Sequence, residues 1–291
     1  MSQQSWPSRD VGDGIPVIWI HGYPLSSAVY APQEAIPGVR HVIPDLPGFG
    51  SAAPPADEMT IEDYAQGIVR IMDEKGIRSA VVAGLSMGGY IALSLARQSM
   101  ERLCGLILID TRETPDTPEA RAKRFESIEA VRAEGTGSVV EAMLPKMLTE
   151  TTMKEDAEKA AAVRRIMESA SNEGVIAALG AMARRGDASA FLPRIEVPTL
   201  VVVGREDAIT PPPDAERMRS AIPGADLVTI EGANHDSFVV DDPRHDLIVT
   251  LTDAFLRAWL FDEREARRWF DEPGRAEVLG SRVAVETRPH F

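Results

Sequence analysis

Cysteine is nearly absent from the chain, with Cys104 the single one. One thiol cannot build an internal disulfide framework or a cysteine-based metal cluster. Its setting in the apolar run LCGLILID reads as a small core residue rather than a reactive thiol. Positive charge is in deficit too: 31 Lys and Arg face 45 Asp and Glu, a formal net charge of −14. That balance excludes nucleic acid as a partner, because neutralising phosphates takes clustered cations, and it disfavours anionic membrane surfaces. No apolar run approaches the ~20 residues that span a bilayer. The opening MSQQSWPSRDVGDG has neither the basic flank nor the apolar stretch of a secretory leader, so a cytoplasmic protein is expected. The five histidines are dispersed, and there is no H-E-x-x-H or paired-carboxylate spacing. No G-x-G-x-x-G opens a helix either, so no metal and no nucleotide cofactor is expected.

What is present is an alternation of short apolar runs with helical patterns, the signature of an α/β fold whose mostly parallel sheet is covered on both faces. PVIWIHG, HVIPDLPGFG, SAVVAG, LCGLILID, VPTLVVVG and ADLVTI read as buried strands. TIEDYAQGIVRIMDEKG reads as an amphipathic helix, with Thr60 as N-cap, Ile61, Tyr64, Ile68, Ile71 and Met72 on one face, and Gly76 as the stop. A last helix runs from Pro243 to about Leu260. Residues 111–192 interrupt the alternation. They are rich in Ala, Glu, Arg and Met, which favours helices, and breaks at Gly135–Gly137, Thr149–Thr152 and Ser171–Asn172 divide them into four. Phe125, Ile128 and Val131 would give the first of these its apolar side; Met143, Leu144 and Met147, then Val175, Ile176, Leu179 and Met182, do so for later ones. The expected organisation is a discontinuous core, 1–110 and 193–291, with a helical cap at 111–192.

Within this frame Gly84-Leu85-Ser86-Met87-Gly88 is a G-x-S-x-G pentad, and it sits where an apolar strand turns into a helix, as a nucleophile elbow requires. Small neighbours at 84 and 88 remove the clash that a strained turn would otherwise create. A serine hydroxyl attacks only when a base takes its proton. His21 shapes the strand-end turn HGYP, His41 opens a strand, His245 lies in the last helix and His290 in the tail. His235, in GANHDSF, is the histidine on a loop after a late strand, where a base would face the strand ends. Asp207, in GREDAITPP, is placed at a strand end to orient that imidazole; Asp110, ending LCGLILID, is the alternative acid. The backbone N–H of Met87, after the nucleophile, would supply one oxyanion donor, and Tyr23 in HGYP the other. Asp45 in DLPGFG reads as a residue that shapes a loop.

HGYP, DLPGFG, GLSMGG, GREDAITPP and GANHDSF, in this order and spacing, resemble the α/β-hydrolase superfamily, and the Ser–Asp–His order is that fold's order. The resemblance covers roughly residues 15 to 260. DTRETPDTPEARAKR and the helices behind it are similar to 3-oxoadipate enol-lactonase-like hydrolases, which cleave lactones and esters. The resemblance implies a cofactor-independent serine hydrolase whose partner is a small ester or lactone. Three alternatives stand beside it: C–C bond hydrolysis or haloperoxidase-like perhydrolysis at the same triad, a ligand receptor on a hydrolase scaffold, and an interaction protein. Haloalkane dehalogenases and epoxide hydrolases are disfavoured, because they carry Asp where this chain has Ser86.

Relatives of this fold usually begin with an antiparallel strand pair, and only fifteen residues precede Pro16 here. The tail AEVLGSRVAVETRPHF alternates as a strand pair does, with Ala276, Val278, Val283 and Val285 on one face. The expectation is a circular permutation in which residues 276–288 fill the sheet edge that the N-terminus leaves open. The same strands could instead cross to a second subunit and make a swapped homodimer.

Overall fold

The computed structural model describes residues 5–148, 153–154, 156–235, 245–259 and 283–286. Strands β1 (Ser8–Val11), β2 (Ile15–Ile20), β3 (Val39–Pro44), β4 (Ala80–Leu85), β5 (Leu103–Ile109), β6 (Thr199–Gly204), β7 (Asp226–Ile230) and β8 (Val283–Glu286) form one sheet. Their order is β1-β3-β2-β4-β5-β6-β7-β8. β1 on β3 and β8 on β7 are antiparallel, and every pairing between them is parallel. Every residue of β4, β6 and β7 is buried, which is why these strands read as unbroken apolar runs rather than alternating ones.

The helices among the described residues are α1 (Ile61–Glu74), α2 (Met87–Gln98), α3 (Pro118–Glu134), α4 (Gly137–Met147), α5 (Ala157–Glu168), α6 (Asn172–Arg184), α7 (Pro212–Ala221) and α8 (His245–Trp259). α1 begins in a capping box: the Thr60 hydroxyl accepts from Asp63 N–H at 3.1 Å and the Asp63 carboxylate accepts from Thr60 N–H at 2.8 Å. Its five apolar-face residues are all buried. Successive strand residues point to opposite faces. Ile18, Ile20 and Val82 therefore pack with α1 and α2, while Val17, Trp19 and Val81 share the other face with Leu251 and Phe255 of α8. None of these helices is long and apolar enough to cross a membrane.

Between β5 and β6 stand α3 to α6. Ile128, Val131, Val175, Leu179 and Met182 are continuous with the first apolar face, and Leu144, Met147, Val163 and Met167 with the second. The inserted helices are thus clamped onto the main cores. α6 starts against the DLPGFG loop, where Ser171 N–H donates to the Gly48 carbonyl at 2.7 Å. The two backbones approach so closely at Gly48 and Gly174 that neither position has room for a Cβ.

Two expectations are corrected. Phe125 is 41% exposed, with the Arg121 guanidinium 5.9 Å from its ring centroid. At ~100° per residue, Arg124, Ile128 and Val131 share one narrow face of α3, and Phe125 falls about a quarter-turn away. Val283–Glu286 of the tail does join the sheet, but on the other side. β8 lies antiparallel on β7, while the N-terminal edge is occupied by β1, paired with β3 from Ser8↔Pro44 to Val11↔His41. The expected permutation is therefore not what closes that edge: the four residues Ser8–Val11 suffice for one antiparallel strand, which alternation in the tail could not reveal. Ala276 and Val278 lie outside the described residues, as do Thr149–Thr152 and His290.

Candidate active site

Ser86 stands between β4 and α2 with φ 52° and ψ −111°, a left-handed conformation rare for a residue with a side chain. Its N–H donates to the Ile109 carbonyl at 2.9 Å, and its carbonyl accepts from Gly89 N–H at 2.9 Å. The flanking glycines are required by contact. A Cβ on Gly84 would collide with the Gly88 carbonyl, and one on Gly88 with the backbone of Ile20. The turn thereby lifts the serine hydroxyl off the strand end.

His235 comes from the loop after β7 and is 5% exposed. Its Nε2 lies 3.0 Å from Ser86 Oγ and its Nδ1 2.8 Å from Asp207 Oδ2. The Nδ1–H donates to the carboxylate, which leaves Nε2 to accept the serine proton. Asp207, 3% exposed, is held by its own loop: Oδ1 accepts from the N–H groups of Ile209 (2.7 Å) and Thr210 (2.9 Å). The Thr210 hydroxyl donates to Oδ2 at 2.6 Å and also lies 3.2 Å from His235 Nδ1. Burial pushes the Asp207 carboxyl up, but the His235 hydrogen bond and charge, with the Thr210 donors, outweigh it and hold it below the usual range. It is an anion facing the imidazole.

The HGYP turn abuts the elbow: a Cβ on Gly22 would meet the Leu85 carbonyl at 3.2 Å and Ser86 Cβ at 3.3 Å. That places the Gly22 backbone, the neighbour of Tyr23 in the chain, beside the serine. Met87 is the first residue of α2, where helix geometry leaves N–H groups without intrahelical partners and the helix dipole is positive. His21 Nε2 accepts from Leu46 N–H at 3.0 Å while its Nδ1–H donates to the Gly22 carbonyl at 2.9 Å. Burial pushes this imidazole down to about 4, so it stays neutral and braces the turn. Asp45 likewise shapes its loop, accepting from Ser27 N–H (2.8 Å) and from Ser51 N–H (2.9 Å) and hydroxyl (2.8 Å). His41 accepts from Trp19 Nε1–H at 3.1 Å, inside the core.

Asp110 reaches the same cluster. The ligating atoms of Asp110, Asp207 and His235 lie within 4.8 Å of one another, as expected of an alternative acid at a neighbouring strand end. Asp110 Oδ1 accepts from Gly204 N–H at 2.9 Å, and the imidazole already engages Asp207 through Nδ1 and Ser86 through Nε2. Between Asp110 and Asp207, the latter holds the ring nitrogen. Two functional neighbours escaped the sequence reading. Thr210 follows Asp207 at the spacing of a local side-chain turn, a usable signal; Thr111 had none.

On the inserted helices, the buried Asp116 carboxylate receives both Arg124, of α3, and Arg185, whose pair with Asp116 is 2.8 Å long. The Arg185 guanidinium lies over the Tyr90 ring, 4.1 Å from its centroid, and Tyr90 is one helical turn past Ser86. The Arg124 charge opposes the upward push of burial on the Tyr23 phenol. The insertion's cations thus face the elbow and the HGYP turn.

Among solved structures, a thermophilic esterase from Thermogutta terrifontis, with malate bound, is 37% identical, with TM-score 0.82 over 87% of this chain and 93% of that one. The enol-lactonase from Burkholderia xenovorans LB400 is 26% identical, with TM-score 0.79 over 86% and 95%. A non-heme chloroperoxidase of Kitasatospora aureofaciens is 27% identical over 250 residues, 78% of this chain and 87% of that protein. Residues 15–242 match the family model described as the alpha/beta hydrolase fold. That span runs from β2 past the loop bearing His235, and with these likenesses the chain is a hydrolase belonging to the alpha/beta hydrolase fold family.

Proposed function

We propose that this hydrolase cleaves a small carboxylic ester or lactone through an acyl-enzyme on Ser86. The observation that carries the reading is the unbroken run of hydrogen-bonding distances from Ser86 Oγ through His235 to the Asp207 carboxylate, at 3.0 and 2.8 Å. His235 Nε2 takes the hydroxyl proton as Ser86 Oγ bonds to the carbonyl carbon. The tetrahedral oxyanion is received by the N–H groups of Met87 and Tyr23, each such donor being worth about 2.7–4 kcal/mol. As the oxyanion collapses, the ester C–O bond breaks and the imidazolium protonates the leaving oxygen. Water then attacks the acyl-enzyme, with His235 again as base, and releases the acid. Asp207 keeps the imidazole in the required tautomer and stabilises its charged form. Residues 111–192 serve as the cap that closes over these strand ends and sets substrate size. The likeness to an esterase and an enol-lactonase supports this reading.

A fluorophosphonate probe should label the protein once, and Ser86→Ala should abolish both labelling and hydrolysis of short p-nitrophenyl esters and of lactones. Labelling that survives Ser86→Ala overturns the reading. The chloroperoxidase relative favours one second reading, in which hydrogen peroxide replaces water in deacylation and the product is a peracid. Halide oxidation that depends on peroxide, a carboxylate and Ser86, and that outpaces ester hydrolysis, would select it.

A further inference from the structure

The end of β5 grips the serine at both of its peptide groups. The Ile109 carbonyl accepts from Ser86 N–H at 2.9 Å, and the Thr111 hydroxyl donates to the Ser86 carbonyl at 2.8 Å. Thr111 is 2% exposed. Its side chain fills the space beside Gly89, where any Cβ would strike the threonine hydroxyl and methyl. That contact accounts for the last glycine of GLSMGG, which the elbow itself does not need. The carbonyl also accepts from Gly89 N–H (2.9 Å) and Tyr90 N–H (3.3 Å), the bonds with which α2 begins. Among the described residues, the threonine supplies the donor from outside the helix.

The Ser86 carbonyl and the Met87 N–H are opposite ends of a single planar peptide unit. Whatever holds the oxygen aims the hydrogen. A donor on the oxygen also polarises the unit and strengthens the N–H at its other end, as in any hydrogen-bonded chain. We propose that Thr111 is a positioning residue for the oxyanion hole, orienting and polarising the Ser86–Met87 peptide through its hydroxyl. The inference rests on Ser86 being the nucleophile. It adds a requirement at a residue that touches neither substrate nor the reacting atoms.

The test compares side chains that differ in the hydroxyl alone: Thr111 against Thr111→Val, and Thr111→Ser against Thr111→Ala. Each member without the hydroxyl should lose about 10-fold or more in kcat on a p-nitrophenyl ester, short of the 10²–10³ for deleting an oxyanion donor outright. KM should stay within roughly twofold, since the oxyanion forms only after binding. Affinity for an arylboronic acid, which forms a tetrahedral adduct on the serine, should fall in parallel with kcat. Thr111→Ser should keep most of the activity. If Thr111→Val does not fold, the Ser and Ala pair carries the same comparison. The inference is overturned if kcat is unchanged without the hydroxyl, if KM rises in place of the fall in kcat, or if Thr111→Ser is as slow as Thr111→Ala. Persistent labelling of Ser86→Ala would instead bring down the proposed function. A silent Ser86→Ala with unaffected Thr111 variants would remove only the role given to Thr111.

Discussion

The strand ends and the inserted helices are both well packed, but they are held by different forces. Around Ser86, Asp207 and His235, partners sit at 2.6 to 3.2 Å, and each atom is fixed by a directional bond. α3 to α6 are held chiefly by apolar contact with the two faces of the core, with the Asp116 cluster and the Ser171–Gly48 backbone bond among their polar ties. Hydrogen bonds specify angle and distance, whereas apolar burial is non-directional and scales with area. Chemistry that fails on a displacement of one ångström belongs at the strand ends. Apolar burial, which tolerates such displacement, suits the proposed role of the inserted helices in substrate fitting.

The sharpest way to break this contrast is at the acid. Asp207→Asn should lower kcat by about 10⁴, since the imidazole is then held in the wrong tautomer. Asp110→Asn, which leaves the Asp207–His235 bond in place, should cost far less. Steady-state ester hydrolysis by the two variants decides, and the reverse order would transfer the role to Asp110.

In the insertion the largest effect should fall on stability. Asp116→Ala takes the carboxylate from Arg185, whose side chain is 5% exposed and, among the described residues, keeps the Met182 and Thr114 carbonyls and the Tyr90 ring. Losing the counter-charge of a buried pair costs up to about 3–5 kcal/mol. Urea unfolding should register that loss, while fluorophosphonate labelling in the absence of urea persists. Lost labelling with unchanged stability would mean that the cluster belongs to the chemistry.

Acid should reach the strand-end region next. The His21 imidazole titrates at about 4 in the fold and 6.5 when free. Between those values the unfolded chain binds the extra proton, so stability falls as pH drops from 6.5 to 4, by about 3 kcal/mol in all. Burial lowers His41 as well, which acts in the same direction. The depressed carboxyls of Asp207 and Asp45 withdraw their contribution only at lower pH, below the usual carboxylate range. Denaturant melts at a series of pH values would show the limb, and a flat profile would mean that His21 is not buried as a neutral ring. The smallest effect should be Phe125→Ala, within about 0.5 kcal/mol despite the size of the side chain. A loss well above that would place the ring in a contact.

The sequence disclosed what is local. Unbroken apolar runs marked strands buried on both faces, Thr60 marked the start of α1, and the glycines of the pentad marked the elbow. His235 followed by elimination among five histidines, because a base must face the strand ends. Relations between distant segments were not legible. Alternation in the tail showed strand character but not which edge of the sheet it would join, since the edges of a sheet offer the same unpaired backbone groups. Phe125 looked like part of an apolar side until the direction of α3 was known. The meeting of Thr111 with Ser86 depends on how β4 and β5 align.

Left-handed φ at Ser86 has a consequence for inheritance as much as for chemistry. Strain of this kind costs of order 1–3 kcal/mol. Glycine would be relieved of it, at the smaller expense of a more flexible unfolded chain. A Ser86→Gly protein should therefore melt above the native one and, on the proposed function, lose ester hydrolysis. On the proposed function, selection for activity would hold serine against the more stable glycine, and a lineage released from that selection could take GLGMGG without loss of stability. In such descendants the fold, the HGYP turn and the histidine loop would persist as relics around an inert and more stable turn.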